Sequence, residues 1–166
     1  MSNNKNNGLA IEYALGEILC KNKLTISTAE SCTGGLVAGK LISYPGISEV
    51  FKEGAITYSN EAKMKRLGVK AETLEKFGAV SEETAKEMAE GIAREAETDI
   101  SVVTTGIAGP GGGTKEKPVG LVYIGIHIKG NTKVEKFNFN GNREEVREEA
   151  VLSALSMLKN ELSKSK

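Results

Sequence analysis

The chain of 166 residues has one histidine, His127, and two cysteines, Cys20 and Cys32. A single imidazole cannot build a two-histidine metal site, and it leaves a Ser-His-Asp triad with only one candidate base. Cys20 falls on the apolar side of a helical stretch and Cys32 on a polar corner, so both read as reduced thiols. Lys+Arg and Asp+Glu are both 22, which removes any overall basic field for nucleic acid. An anionic ligand would have to be held locally. No run approaches the ~20 apolar residues of a membrane span. The polar start MSNNKNNG lacks the apolar stretch of a secretion signal, so the cytoplasm is the expected compartment and residues 1–7 an expected disordered tail. The length suits one domain around one core, expected over residues 8–162.

What the chain does have is glycine, 19 residues, concentrated at 34–39 and 106–113. Around these two segments the patterning reads as alternating helices and strands. Ile11, Leu15, Ile18 and Leu19 recur at helical spacing, and residues 24–29, LTISTA, read as a strand. A mostly buried helix is expected over 36–42, an extended segment over 49–59 and a short helix over 60–69. Ser81 with two acids behind it begins the clearest helix, carrying Ala85, Met88, Ala89 and Ile92 inward. Residues 99–105 read as a buried strand, and 120–128 with 133–140 as a hairpin turning at Gly130-Asn131. Asn142 and Glu145 predict a capping box opening the last helix. The order argues a three-layer α/β/α sandwich on a mixed sheet, with both glycine-rich corners beyond the carboxyl ends of strands, where such sheets bind ligands.

Three constellations carry chemistry. In AESCTGG, 29–35, Ser31 sits between a strand and a Gly-Gly helix start, with the N–H groups of Thr33, Gly34 and Gly35 as candidate oxyanion donors. The same residues also suit a plain helix cap, and both readings stand on the corner alone. Cys32 is the rival nucleophile, but His127 alternates onto a sheet face with Leu121, Tyr123 and Gly125, leaving the thiol no evident base. In YSNEAK, 58–63, Tyr58 and Lys63 converge if the turn is tight, Lys63 as base and Tyr58 as proton relay or positioner. Lys65 and Arg66 compete with Lys63, and a solvated helix face is the plain alternative. In TGIAGPGGGT, Thr105, Gly106, Gly109, Gly111, Gly112 and Gly113 either bring backbone N–H groups to a phosphate or form a flexible surface loop. That segment misses the dinucleotide fingerprint at Thr114, and GGLVAGK misses a P-loop at Leu41.

AESCTGG, GAITYSNEAK followed by LGV, GAVSEETA, and TGIAGPGGG with KPVGLVYIGI, in this order, closely resemble the CinA C-terminal domain family, the nicotinamide mononucleotide (NMN) amidohydrolases. The likeness spans roughly residues 8–160. It implies hydrolysis of the NMN carboxamide to nicotinate mononucleotide and ammonia, without metal or other cofactor, in pyridine nucleotide recycling. It also implies the stand-alone form, without the N-terminal pyrophosphatase-type domain of longer members. Carried over by position, Ser31 is the nucleophile and Tyr58 and Lys63 complete a Ser-Tyr-Lys set. The loop 106–113 then faces the ribose-phosphate end of the substrate, and Glu30 and Arg143 are further substrate-site candidates. No nucleic acid or membrane partner is expected, and self-association would be ordinary for such a domain. Two other readings stay open: a nucleotide-binding, competence-associated module without turnover, and an amidase of another nucleotide or small amide.

Overall fold

The computed structural model describes residues 9–164; the expected tail, residues 1–7, lies outside them. Strands β1 (Ile26–Glu30), β2 (Phe51–Ile56), β3 (Ile100–Gly106), β4 (Leu121–Ile128) and β5 (Asn131–Asn138) form one sheet in the order β2-β1-β3-β4-β5. β2, β1 and β3 run parallel, and β4 and β5 are added antiparallel. Helices α1 (Ile11–Lys21), α2 (Leu36–Leu41) and α6 (Arg143–Lys164) cover one face. Helices α3 (Asn60–Leu67), α4 (Ala71–Phe77) and α5 (Glu82–Glu95) cover the other. This is the expected three-layer sandwich on a mixed sheet.

Strand alternation divides the interior into two cores. Ile100 and Val102 join Leu15, Leu19, Leu155 and Leu158 on one side, while Val103 meets Met88, Ala89 and Ile92 on the other. β1 is buried at every position, as a parallel strand covered on both faces must be. Full burial of each large aliphatic side chain stabilises by about 1.5–3 kcal/mol, so α6, with Val146, Leu155 and Leu158 wholly buried, is firmly seated. Its first turn therefore has a fixed place over the sheet.

Caps set the helix starts. Ser81 Oγ accepts the Thr84 N–H at 3.2 Å. Asn142 Oδ1 accepts the Glu145 N–H at 2.9 Å while Glu145 Oε1 accepts the Asn142 N–H at 3.3 Å, a reciprocal capping box. The hairpin departs from the expectation by one residue. Ile128 pairs with Asn131, so Lys129 (φ 43°) and Gly130 (φ 89°) are the turn residues. A two-residue turn of this type needs positive φ at both positions, and here lysine takes it while Asn131 joins the ladder. α4 lies where no helix was expected, because it buries Leu74 alone and has no side-chain cap. α2 is less buried than its apolar run suggested: Val37 and Leu41 face inward and Leu36 is exposed.

The start of α2 is capped from outside the helix. Gly35 at the N-cap has φ 101° and offers no side chain. Glu30, the last residue of β1, reaches across to accept the N–H groups of Val37 at 2.8 Å and Ala38 at 3.1 Å, together with the Thr33 hydroxyl. A buried carboxylate thus neutralises the helix end and ties it to the central strand.

On the opposite face, α5 passes so close to the end of α3 that a Cβ at Gly91 would lie 2.0 Å from the Leu67 carbonyl oxygen. Gly91→Ala is therefore expected to lower the unfolding free energy by about 1–3 kcal/mol. Glu30→Gln keeps the shape but replaces a charged acceptor of several N–H and O–H groups, with an expected loss of about 2 kcal/mol. Urea denaturation measures both, and wild-type stability in either variant would remove the constraint assigned to that residue.

Candidate active site

The parallel strands β2, β1 and β3 end along one edge of the sheet, and Ser31 is the first residue past β1. Its N–H donates to the Thr104 carbonyl at 3.0 Å, which pins the corner to β3. On the other side the Thr57 N–H donates to the Glu30 carbonyl at 3.0 Å, prolonging the β1–β2 pairing and bringing Thr57 and Tyr58 alongside Ser31. Ser59 then starts α3, its hydroxyl accepting the Ala62 N–H at 3.1 Å.

Lys63 lies in the first turn of α3, and helical side chains lean toward the N-terminus. Its Nζ therefore returns to the segment just before the helix. It donates to the Thr57 carbonyl at 2.9 Å and the Tyr58 carbonyl at 3.1 Å, and lies 3.2 Å from Ser31 Oγ. The residue is 1% exposed, and among the described residues no carboxylate pairs with it. Burial pushes its pKa below the ordinary lysine range. A Cys32 thiolate would oppose that shift, but burial pushes the Cys32 thiol itself up to about 11, so the thiol is protonated near neutral pH. A neutral lysine has two hydrogens and one lone pair. With the two carbonyls taking the hydrogens, the lone pair is left for the Ser31 hydroxyl proton.

Ser31 and Lys63 open into a cleft of about 280 Å³. Thr105 Oγ1 donates to the Ala79 carbonyl at 2.7 Å, which draws Ala79 and Val80 onto one wall. The other wall is the segment 107–112. It is closed at its base by the Ile107 N–H to the Leu121 carbonyl at 2.8 Å and the Gly120 N–H to the Ile107 carbonyl at 2.7 Å. Gly109 has φ 84°, and a Cβ there would meet Val119 at 2.4 Å, so the wall needs glycine at this position. The N–H groups of Ala108, Gly109, Gly111 and Gly112 have no hydrogen-bond partner among the described residues. Arg143, at the start of α6, donates to the Gly109 carbonyl at 2.8 Å and to the Tyr58 hydroxyl at 3.3 Å. The cleft can thus hold an anion at its rim and an acyl carbon at Ser31.

Of the residues singled out from the sequence, Ser31, Tyr58, Lys63, Thr105, Gly106, Gly109, Gly111, Gly112 and Arg143 line this cleft. Gly113 stands behind it, where a Cβ would lie 2.7 Å from the Val119 nitrogen. The Thr33-Gly34-Gly35 turn is not on the cleft wall. The Gly34 N–H donates to the Ser31 carbonyl at 3.1 Å, and Thr33 Oγ1 is bound to Glu30 and, at 2.7 Å, to Thr104. Of the three N–H groups expected as oxyanion donors, that of Gly34 is thus taken by the turn and those of Thr33 and Gly35 lie off the cleft wall, while Glu30 is committed to α2. The Tyr58 hydroxyl bonds to neither Ser31 nor Lys63, so the relay geometry is absent; Tyr58 touches the lysine through its main-chain carbonyl. Lys65 is exposed, and Arg66 pairs with Glu53 at 2.6 Å on the surface. His127 lies at the opposite end of β4, bound to Thr132 at 2.8 Å, a sheet residue as its alternation suggested.

Sequence reasoning missed Arg147, whose Nε donates to the Cys32 carbonyl at 3.0 Å and whose Nη2 donates to the Thr33 carbonyl at 3.4 Å. Its signal was the spacing of four from Arg143, which puts both guanidinium groups on one helix face. It also missed the role of Thr57, which acts through its carbonyl and so leaves no side-chain signature. Among the described residues no group of three or more His, Cys, Asp or Glu side chains could hold a metal ion, and no helix is long and apolar enough to cross a membrane.

The chain is 65% identical over 156 residues to a Clostridium perfringens protein named "Putative competence-damage inducible protein". A Clostridium acetobutylicum protein of the same name is 63% identical over 153 residues. These alignments cover 94% and 92% of the chain but only 38% and 37% of those relatives' lengths. Among solved structures, the competence/damage inducible protein CihA from Agrobacterium tumefaciens superposes with a TM-score of 0.86 at 42% identity, over 93% of this chain and 97% of that one. A competence-damaged protein (CinA) superfamily protein from Escherichia coli gives 0.86 at 39% identity, over 89% and 86%. The family model for the CinA C-terminal domain matches residues 9–162, and the chain belongs to that family.

Proposed function

We propose that this domain is a cytoplasmic amidase that hydrolyses the carboxamide of NMN, giving nicotinate mononucleotide and ammonia through a Ser31 acyl-enzyme, with no metal or other cofactor. The observation that carries the reading is the buried Lys63 Nζ, 3.2 Å from Ser31 Oγ, with two backbone carbonyls to take its hydrogens. Neutral Lys63 accepts the Ser31 proton as Oγ attacks the carboxamide carbon. The resulting ammonium returns a proton to the departing nitrogen, and ammonia leaves an ester on Ser31. Water, deprotonated by the same amine, then releases the carboxylate. The Cys32 N–H and the free N–H groups of Ala108 and Gly109 are the donors this reading assigns to the oxyanion.

The choice of NMN rests on the resemblance of the motifs and on the polarity of the cleft. A phosphate fits beside Arg143 and the unpaired amides of the glycine wall, and the apolar Val80 and Ile107 suit a heteroaromatic ring. The positive charge of the pyridinium draws electrons from the carboxamide and makes its carbon a better electrophile.

Ammonia release from NMN by the purified, chelator-treated protein tests the reaction. Wild type is expected to turn over, Ser31→Ala to fall to background, and Cys32→Ala to remain active. If wild type releases no ammonia, the NMN amidase reading fails for this domain. Loss of activity on chelation would overturn the metal-free mechanism. Lys63→Ala is expected to slow acylation by about 10²–10⁴-fold, the range of general-base contributions. Because only the unprotonated amine serves as base and burial lowers its pKa, kcat/KM is expected to rise with pH and level off below the ordinary lysine value of ~10.4. A rate independent of pH across that range would remove Lys63 from the base role.

A further inference from the structure

We propose that Tyr58 serves the site through its ring, as the π surface that selects a cationic heteroaromatic amide over an uncharged one. The inference rests on the amidase reading above and names how that site chooses its substrate.

Three observations converge on it. First, the side chain makes no hydrogen bond to Ser31 or Lys63. Its hydroxyl is taken by Arg143 at 3.3 Å, and it is the Tyr58 carbonyl that meets Lys63. The carbonyl could come from any residue, so the ring is free for separate work. Second, Tyr58 is 61% exposed and lines the cleft, and among the described residues no other ring or side-chain cation packs on its ring. The bond from Arg143 restrains it there.

Third, the charge of the cleft is one-sided. No aspartate or glutamate lines it, and Tyr58 is its only aromatic side chain among the described residues. A ligand with an anionic tail and a cationic ring finds Arg143 for the tail, but nothing except a π face for the ring. A carboxylate would bind that ring too, yet it would also favour protonated Lys63 and so remove the base. The negative face of an aromatic ring attracts a cation without presenting a full charge to the lysine. The substrate class is therefore an N-alkylated, positively charged heteroaromatic carboxamide carrying a phosphate, with the charge read by Tyr58.

Calorimetry on Ser31→Ala protein, which binds without turnover, tests this with NMN and with its isostere carrying an uncharged benzamide ring. Ser31→Ala is expected to prefer NMN by about 3- to 30-fold, the range of cation–π attraction. Adding Tyr58→Leu is expected to cut the preference to about twofold or less, and adding Tyr58→Phe, which keeps the ring, to restore most of it. With Ser31 intact, Tyr58→Leu is expected to raise KM for NMN by about tenfold while kcat moves less than about threefold, the signature of lost ground-state binding. A preference unchanged by Tyr58→Leu would overturn the inference. So would a loss of kcat of about 10²-fold or more in Tyr58→Phe, which would make the hydroxyl a proton carrier. If wild type releases no ammonia but the Tyr58-dependent preference is found, the reaction fails and the ring's role stands.

Discussion

A lysine amine buried against a serine hydroxyl, with two carbonyls and, among the described residues, no carboxylate around it, is the constraint on which the rest of the site depends. Burying an ammonium costs several kcal/mol even after relaxation, and two carbonyl dipoles offset only part of that. The proton is therefore held weakly, and the neutral amine matches its partners one for one: two hydrogens to Thr57 and Tyr58, one lone pair to Ser31. A single glutamate within reach would restore the ammonium and turn a base into a structural ion pair. The lack of acidic residues along the cleft, among the described residues, is thus a requirement of the base role proposed for Lys63.

Placing that amine takes three elements. The Thr57 N–H, bound to the Glu30 carbonyl, fixes the two carbonyls relative to the Ser31 corner, and the Ser59 cap fixes where α3 begins. Glu30 acts twice, through its carbonyl toward the segment that holds Lys63 and through its carboxylate toward the Ser31 corner. A bare Gly-Gly helix start would offer its N–H groups to an anion; here the chain's own carboxylate fills that position. Free N–H groups are thereby left on the opposite wall, where those of Ala108, Gly109, Gly111 and Gly112 have no partner among the described residues and Arg143 is near. α6 connects the two walls. Its buried face holds it against the sheet, and its first turns carry Arg143 to the glycine wall and Arg147 to the carbonyls of Cys32 and Thr33.

The parts of this arrangement that could be read from the sequence are those in which side chains repeat or cap. Alternation located β1 and β4 and a buried run β3, the Ser81 and Asn142 caps fixed the starts of α5 and α6, and the Ser31 and Lys63 segments stood out through residue type and spacing. What was not legible depended on main-chain atoms or on partners distant in the chain. The carbonyls of Thr57 and Tyr58 have no sequence signature. Glu30 and Gly35 look like components of one anion-binding corner until the carboxylate is seen to bond to the helix that follows. α4 has too short an apolar stripe to register, and the hairpin shifted by one because a lysine took a left-handed position usually given to glycine or asparagine. Tyr58 stands beside the lysine as its spacing suggested, but the contact is made by its main-chain carbonyl while its hydroxyl accepts from Arg143.

The charge of the proposed substrate bears on the base as well as on recognition. A pyridinium whose carboxamide reaches Ser31 lies within a few ångströms of Lys63, and a nearby positive charge disfavours the protonated amine. Binding and deprotonation are then linked, and linkage is reciprocal: loss of the proton from Lys63 must strengthen binding of the cation by the same factor. After ammonia leaves, the acyl group is still attached to a cationic ring, so the amine remains neutral for the water that follows. When the product forms, its carboxylate lies beside the lysine and reverses the sign, favouring protonation. On the proposed reaction the same buried amine is thus kept unprotonated while the substrate is an amide or an ester, and is drawn into an ion pair once hydrolysis is complete. That ion pair holds the product in place, and on this argument product release, rather than either acyl step, is where the site is least well matched to its task.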